Sequence, residues 1–165
     1  MDSKYSDPVY IDAKRSTTFQ EGLEFQDFVC DQLARRHVIL QNLSSKKYQY
    51  DVGENLQGFE IKLDRRCSDT MRLSIEVAEK SIASMRTWTP SGIFRNDNSW
   101  LYIQGNYDLI FVFAKSLLLG IHKSGRYELK EEPTLRSFYL PFHDARKYAA
   151  LFLDFPKGFD RQNPY

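Results

Sequence analysis

The chain has 165 residues, of which 42% are hydrophobic and 15% aromatic. Its 23 Lys and Arg residues balance 22 Asp and Glu, for a formal charge of +1. This composition excludes an intrinsically disordered chain and predicts a single globular domain, with any attraction to nucleic acid coming from local patches. Because the N-terminus is polar and no apolar run approaches a membrane span, we expect a cytoplasmic protein without a membrane partner.

Residues 1–15 are polar and predict an N-terminal arm, so that one domain occupies residues 16–165. Thr18 and Glu21 have the spacing of a capping box at a helix start. Apolar residues at helical spacing follow, and they predict a first helix from Phe19 to about Arg36.

Six short runs have the composition or the period-two alternation of β-strands. They cover residues 38–43, 59–64, 73–77, 100–103, 109–113 and 137–140. The run at 109–113 is apolar throughout, as is typical of a central strand, whereas Pro141 indicates an edge strand at 137–140.

Helices and one long loop complete the predicted elements. Residues 117–122 and 144–153 have helix start and stop signals, and the polar residues 79–99 predict a long surface loop. The resulting order predicts the α/β class, with helices flanking one mixed central sheet.

The candidate catalytic residues lie on two of the predicted strands, residues 59–64 and 73–77. Glu60 and Lys62 share one face of their strand because side chains alternate, and Ser74 and Glu76 share one face of the next. If residues 65–71 close an antiparallel hairpin, Glu60 faces Glu76 and Lys62 faces Ser74. The opposite faces of both strands are apolar, which favours this register.

A facing pair of carboxylates costs about 0.2–1 kcal/mol but becomes favourable around a divalent cation. Mg²⁺ binds one or two protein carboxylates and completes its shell with water and phosphate oxygens. The neighbouring Lys62 can orient or deprotonate a water or neutralise phosphate charge. These parts predict phosphodiester hydrolysis. The alternative is a solvated face with weak ion pairs, such as Lys62 with Glu76.

Over residues 19–80 this order of elements resembles the PD-(D/E)XK nuclease superfamily. The pattern of that family is an acidic residue on the first helix, another on the second core strand, and Asp/Glu-x-Lys on the third. In one alignment Glu60 is the second-strand acid and Glu76 begins the third-strand motif. Ala78 then stands where lysine is expected, so that Lys62 or Lys80 would supply the amine.

In the second alignment Glu60-Ile61-Lys62 is itself the Glu-x-Lys motif, and Asp51 is the preceding acid. Both alignments require Glu60 and Lys62. We favour the first, because the hairpin gives it a consistent geometry.

The resemblance implies a restriction-endonuclease-like core and a Mg²⁺-dependent DNA nuclease, with Mn²⁺ as a substitute metal. Glu60 and Glu76 would bind the metal, and Asp64 would be an outer or alternative ligand. We prefer Glu21 to Glu24 as the helix acid, because Glu21 lies on the flank of the apolar stripe. Helix capping is the alternative role of Glu21.

Cations and aromatic side chains surround this segment and could contact phosphates and stacked bases. They are Lys46, Lys47, Arg65, Arg66, Arg86, Trp88 and Arg95. One domain leaves little room for a sequence-reading module, so we expect a structure-selective or loosely specific enzyme, or a homodimer.

Two other functions remain open. A non-catalytic nucleic-acid-binding or assembly module of the same fold would explain why Ala78 replaces the expected lysine. A metal-free glycoside hydrolase would use Glu60 and Glu76 as acid and base, although the small size of the chain and the adjacent Lys62 argue against it.

Overall fold

A long helix and two four-stranded sheets form the part of the chain that the computed structural model describes, which is residues 8–43, 48–49 and 52–155. In the first helix, side chains are described for Thr17 and from Gln20 onward. The helices are α1 (Pro8–Ala34), α2 (Cys67–Thr70), α3 (Lys115–Lys123) and α4 (Phe142–Tyr148), and a 3₁₀ turn covers Gly92–Phe94.

The strands divide between two sheets. Sheet 1 has the order β1 (Phe59–Leu63), β4 (Leu101–Gly105), β5 (Leu109–Ala114) and β8 (Leu151–Asp154). Sheet 2 has the order β3 (Thr89–Pro90), β2 (Arg72–Glu79), β7 (Leu135–Pro141) and β6 (Leu129–Glu131). Strands β1 and β4 run parallel, and the other neighbours in each sheet are antiparallel. The predicted α/β class is confirmed, although two sheets replace the single central one.

Two apolar clusters hold these layers together. The helix cluster packs Phe25, Val29 and Leu33 of α1 onto one face of sheet 1, where it meets Ile61 and Ile103. The inter-sheet cluster joins the other face of sheet 1 to sheet 2. It includes Leu73, Ile75, Tyr102, Phe111, Phe113, Phe138 and Leu140. Sheet 1 is therefore the middle layer, with α1 on one side and sheet 2 on the other.

The predicted hairpin between the two charged strands is wrong. Glu60 has Tyr102 of β4 as its strand neighbour, and Glu76 has Ser137 of β7. The apolar faces of β1 and β2 do not form one layer, because that of β1 packs against α1 and that of β2 lies in the inter-sheet cluster. Helix α2 and the left-handed Met71 (φ 53°) separate the two strands in the segment predicted to close the hairpin.

Several element boundaries also differ from prediction. Helix α1 begins at Pro8, so it runs through the predicted cap at Thr18. Residues 38–43 form no strand and contribute only an isolated bridge between Asn42 and Asn55. Strand β7 is internal, since it pairs with β2 and β6, and Pro141 only marks its end.

The final predicted helix ends early, because the chain turns extended at Ala149 and continues as β8. Leu153 is buried in the helix cluster, whereas the adjacent Phe152 packs against the inter-sheet cluster, so successive side chains point to opposite faces of sheet 1 as in a strand. The predictions for β4, β5 and α3 are confirmed, including the full burial expected of a central strand at β5. No helix among the described residues is long and apolar enough to cross a membrane.

A bulge in β2 sets the direction of Glu76. The pairing of β2 with β7 shifts by one residue between Glu76 and Ala78, and a bulge of this kind re-aims the side chains beside it. Gly92 packs against the bulge with a positive φ of 52°. A Cβ at this position would lie 2.3 Å from the carbonyl oxygen of Glu76, so glycine is required for both its conformation and its size.

Replacing Gly92 by alanine should lower the free energy of unfolding by more than the same change at Gly125. Gly125 also has a positive φ (66°), but a Cβ there would meet nothing within 4 Å. We expect about 1 kcal/mol for the backbone strain at either site and roughly 1–3 kcal/mol more for the displacement at Gly92. Urea unfolding of both variants measures the difference, and equal losses would contradict the packing argument.

Candidate active site

Glu60 and Glu76 meet at the ammonium of Lys62, although they come from different sheets. The Lys62 Nζ lies 3.3 Å from Oε1 of Glu60 and 3.6 Å from Oε2 of Glu76. Lys62 and Glu60 share one face of β1, as the alternation predicts, while the Glu76 side chain reaches them from β2. Glu60, Lys62 and Glu76 are therefore close together, as predicted, but no hairpin joins their strands.

Glu60 is the most buried of the three, with a fully buried side chain compared with 29% exposure for Lys62 and 16% for Glu76. Neither of its carboxylate oxygens accepts a hydrogen bond from the described residues. Burial raises the pKa of Glu60, and the nearby charges of Lys62 and Lys115 oppose that rise. A buried carboxylate compensated chiefly by nearby cations is costly.

Lys62 stays protonated at neutral pH. Desolvation lowers its pKa, but the carboxylates of Glu76, Glu60 and Glu54 outweigh this effect, and the pKa of Lys62 is above its ordinary value. The side chain is therefore a fixed positive charge and a hydrogen-bond donor.

Glu54 belongs to the same group, although the sequence analysis does not include it among the candidate site residues. Its Oε2 accepts a hydrogen bond of 2.8 Å from the backbone N–H of Ile61. Asn55 makes two similar bonds with the backbone of Phe59, at 2.7 and 2.8 Å. These side chains cover the outer edge of β1, a contact that no periodic pattern reveals.

Burial raises the pKa of Glu54 to about 7, although the positive charge of Lys62 opposes the shift. Glu54 therefore changes its charge within the physiological range.

Tyr102 lies beside Glu60 on the neighbouring strand and is fully buried. Burial, followed by the charges of Glu60 and Glu76, raises the pKa of its hydroxyl well above the ordinary value. Tyr102 thus remains a neutral hydroxyl group, and it lines the cleft that also includes Lys62 and Glu76.

Lys115 provides a second buried cation near Glu60. Its Nζ donates to the carbonyl oxygen of Arg95 at 2.8 Å and to Oγ of Ser99 at 2.6 Å, and it lies 3.3 Å from Oδ1 of Asp97. Although partial burial raises the pKa of Asp97, the hydrogen bonds from Ser99 and the charge of Lys115 lower it below its ordinary value. This network fixes the segment that carries Arg95.

Lys62 lines two clefts. The helix cleft, of about 510 Å³, lies between α1 and β1 and includes Gly22, Gln26, Gln49, Glu54, Arg65 and Arg95. The sheet cleft, of about 400 Å³, lies between β1 and sheet 2 and includes Asp64, Arg65, Arg66, Arg72, Glu76 and Tyr139. The guanidinium of Arg72 lies 3.9 Å from the centre of the Tyr139 ring, so cation and aromatic side chain form one surface.

The acids considered as accessory ligands, Glu21, Glu24 and Asp64, form ion pairs or hydrogen bonds with residues other than Glu60, Lys62 and Glu76. Glu21 forms an ion pair with Arg65, and Glu24 is exposed and accepts a hydrogen bond from Gln20. Asp64 uses Oδ2 to accept bonds from the Ser74 backbone N–H at 3.0 Å and the Gln104 amide at 2.9 Å. Asp64 therefore joins β2 to sheet 1.

The predicted nucleic-acid contacts are only partly brought together. Arg65, Arg66 and Arg95 line the clefts, and Arg86 is exposed. Lys46, Lys47 and Asp51 lie outside the described residues.

Trp88 is half-buried between two cations, since Lys80 Nζ lies 4.2 Å and the Arg136 guanidinium 4.4 Å from its ring centre. Lys80 therefore packs on Trp88, and Lys62 is the amine beside the carboxylates. The Trp88 ring is correspondingly covered by protein cations, which leaves less of it for stacking on bases.

A metal at this site would be held by few protein ligands. Among residues 8–43, 48–49 and 52–155, no three His, Cys, Asp or Glu side chains are grouped closely enough to hold an ion. The buried oxygens of Glu60 and the adjacent carboxylate of Glu76 match the one or two carboxylates that Mg²⁺ takes from a protein.

No family model matches the chain, and the searches of curated proteins and solved structures also returned no match.

The raised pKa of Glu54 predicts a pH dependence of stability. Between its ordinary value of 4.5 and about 7, the folded state holds a proton that the unfolded state has released. This contribution to the free energy of unfolding is present below pH 4.5 and is lost as the pH rises to about 7. Glu54→Gln, which cannot ionise, should therefore gain stability relative to wild type between pH 5 and pH 8.

Urea unfolding at several pH values measures this difference. Glu128→Gln is the control for removing one negative charge, because the Glu128 side chain is 76% exposed. A Glu54→Gln difference that does not change with pH would contradict the prediction.

Proposed function

We propose that the protein is a Mg²⁺-dependent nuclease that hydrolyses phosphodiester bonds of DNA. The observation that supports this function is the contact of Glu60 and Glu76 with one ammonium, that of Lys62. Glu60 and Glu76 would hold the ion, and Mn²⁺ would substitute for Mg²⁺. The bound ion would supply a water of lowered pKa and offset the phosphate charge.

Lys62 would act as a hydrogen-bond donor, because its ammonium lies within 3.6 Å of a carboxylate oxygen of both Glu60 and Glu76. An ammonium in this position can align the attacking water or a phosphate oxygen and offset developing negative charge.

The motif that we propose is Glu60-Ile61-Lys62 itself. Glu54, whose side chain lies against β1, would take the place given to Asp51 as the preceding acid. Glu76 would be an additional carboxylate supplied by sheet 2. This assignment keeps the literal Glu-x-Lys and does not need the hairpin.

The sheet cleft supports binding of an anionic strand. Arg65, Arg66 and Arg72 line it together with Glu76 and Lys62, and arginine binds phosphate oxygens with paired hydrogen bonds. Because the whole chain has a charge of only +1, attraction of DNA would be local and sensitive to salt.

Cleavage of supercoiled and branched DNA with Mg²⁺ or Mn²⁺ tests the proposal. Glu60→Gln, Glu76→Gln and Lys62→Met should each lower the rate by about two orders of magnitude or more, since each removes a charge from the centre. The exposed Glu128→Gln should cleave like wild type. Equal rates for Glu60→Gln and wild type would refute the assignment.

A second candidate is a nucleic-acid-binding module of the same chain without catalysis. It is favoured by one observation: Lys62 already neutralises both Glu60 and Glu76, as a structural ion pair would. Such a module would still shift DNA in a salt-sensitive way.

Metal titration of Lys62→Met separates the two functions. Removing the ammonium leaves Glu60 buried without its partner, which should cost on the order of 3 kcal/mol in the absence of metal. If the carboxylates form a metal site, Mn²⁺ should restore the stability of Lys62→Met and bind it more tightly than wild type, because ammonium and ion compete for the same oxygens. In a binding module Mn²⁺ would have no effect that depends on Glu60.

A further inference from the structure

The helix cleft contains a glycine that the backbone does not require. Gly22 lies in the interior of the 27-residue helix α1 and lines the cleft. A Cβ built there would meet nothing within 4 Å, so close packing does not explain the residue. Glycine in a helix interior is less stable than alanine. What its missing side chain provides is open space beside Lys62.

The groups around this space suit a ligand with hydrogen-bonding edges. Gln26 is half-buried and has both a donor and an acceptor, and no bond of its amide to another described residue is found. Gln49 donates to the Leu43 carbonyl, which leaves its amide oxygen available. Glu54 uses one of its carboxylate oxygens for Ile61.

The volume of about 510 Å³ lies in the range of small-molecule sites. Amide and carboxyl groups facing a cleft are the chemistry that proteins use to read the edges of unstacked bases. The guanidinium of Arg95 lies at the same cleft, but it is held by the Gln49 carbonyl oxygen at 2.8 Å and by Asp97, so it is a fixed wall of the cleft.

We propose that the helix cleft receives one unpaired base of the nucleic-acid strand whose phosphate lies at Lys62. This inference rests on the proposed function and specifies its substrate class as single-stranded or splayed DNA. Lys62 lines both clefts, so a strand that crosses it would place its phosphates along the arginines of the sheet cleft and the neighbouring base in the helix cleft. A base inside a duplex has its edge paired and cannot enter.

The test is binding of a labelled short oligothymidylate in EDTA, where no cleavage can occur, compared with the same backbone made abasic. Wild type should bind the oligothymidylate more tightly by roughly tenfold, the scale of the polar contacts to one base. Gly22→Leu fills the cleft and should remove this preference while leaving the weaker abasic binding unchanged.

Gly120→Leu is the matched control. Gly120 is also helical, in α3, has nothing within 4 Å of a built Cβ, and lines neither cleft. It should retain the full preference for bases. If circular dichroism shows that Gly22→Leu does not fold, Gln26→Glu replaces it as the test variant. This substitution places a negative charge in the lining of the helix cleft and should also remove the preference for bases. Gln20→Glu on the exposed face of α1 is its control.

The cleft assignment is overturned if wild type shows no preference for bases, or if folded Gly22→Leu or Gln26→Glu keeps it. Failure of the proposed hydrolysis has a different signature. In that case Gly22→Leu still loses the preference in EDTA, but wild type cleaves no DNA with Mg²⁺ or Mn²⁺.

Discussion

The Glu60 carboxylate is removed from water at the edge of sheet 1, and the charge of Lys62 is its nearest compensation. A buried carboxylate cannot remain ionised without a partner, so the surrounding elements must deliver cations to it. Lys62 comes from the same strand and Lys115 from the start of α3. Much of the local architecture, including the segment carrying Asp97 and Ser99, keeps these charges in place.

The division of the strands into two sheets is what makes this site accessible. In one continuous sheet, Glu60 and Glu76 would be direct neighbours on a flat face. Here β1 is the edge of sheet 1, and β2 belongs to the other layer. Glu76 therefore approaches Lys62 across the boundary between layers, and a cleft opens on either side of the lysine. The bulge at Glu76, against which Gly92 packs, is part of the same arrangement.

The two clefts differ in chemistry in a way that suits one extended ligand. The sheet cleft has three arginines and the Tyr139 ring, whereas the helix cleft, which also has two arginines, adds the amides of Gln26 and Gln49 and the carboxyl group of Glu54. Backbone phosphates are bound by the first kind of surface and base edges by the second. Lys62 is common to both clefts, so one side chain links the proposed reaction to the proposed base site.

Local pattern was sufficient for the parts of the molecule that depend on neighbouring residues. The apolar run of β5, the alternation of β1 and β2, and the composition of an α/β domain could all be predicted, as could the sharing of one face by Glu60 and Lys62. The pattern also predicts α4 from Asp144 onward, but it extends this helix over Leu151 and Leu153, because the pairing of β8 with β5 and the burial of Leu153 in the helix cluster override a weak local preference.

Pairing between distant elements could not be read in the same way. The alternation of both strands is compatible with a hairpin of β1 and β2. In the structure, however, the apolar face of β1 packs against α1, and that of β2 packs in the inter-sheet cluster. Glu54 and Tyr102 joined the site only through such packing. The sequence by itself determined which side chains share a strand face, since that follows from backbone geometry. Only the tertiary structure decided which faces meet, because burial of apolar area acts between residues far apart in the chain.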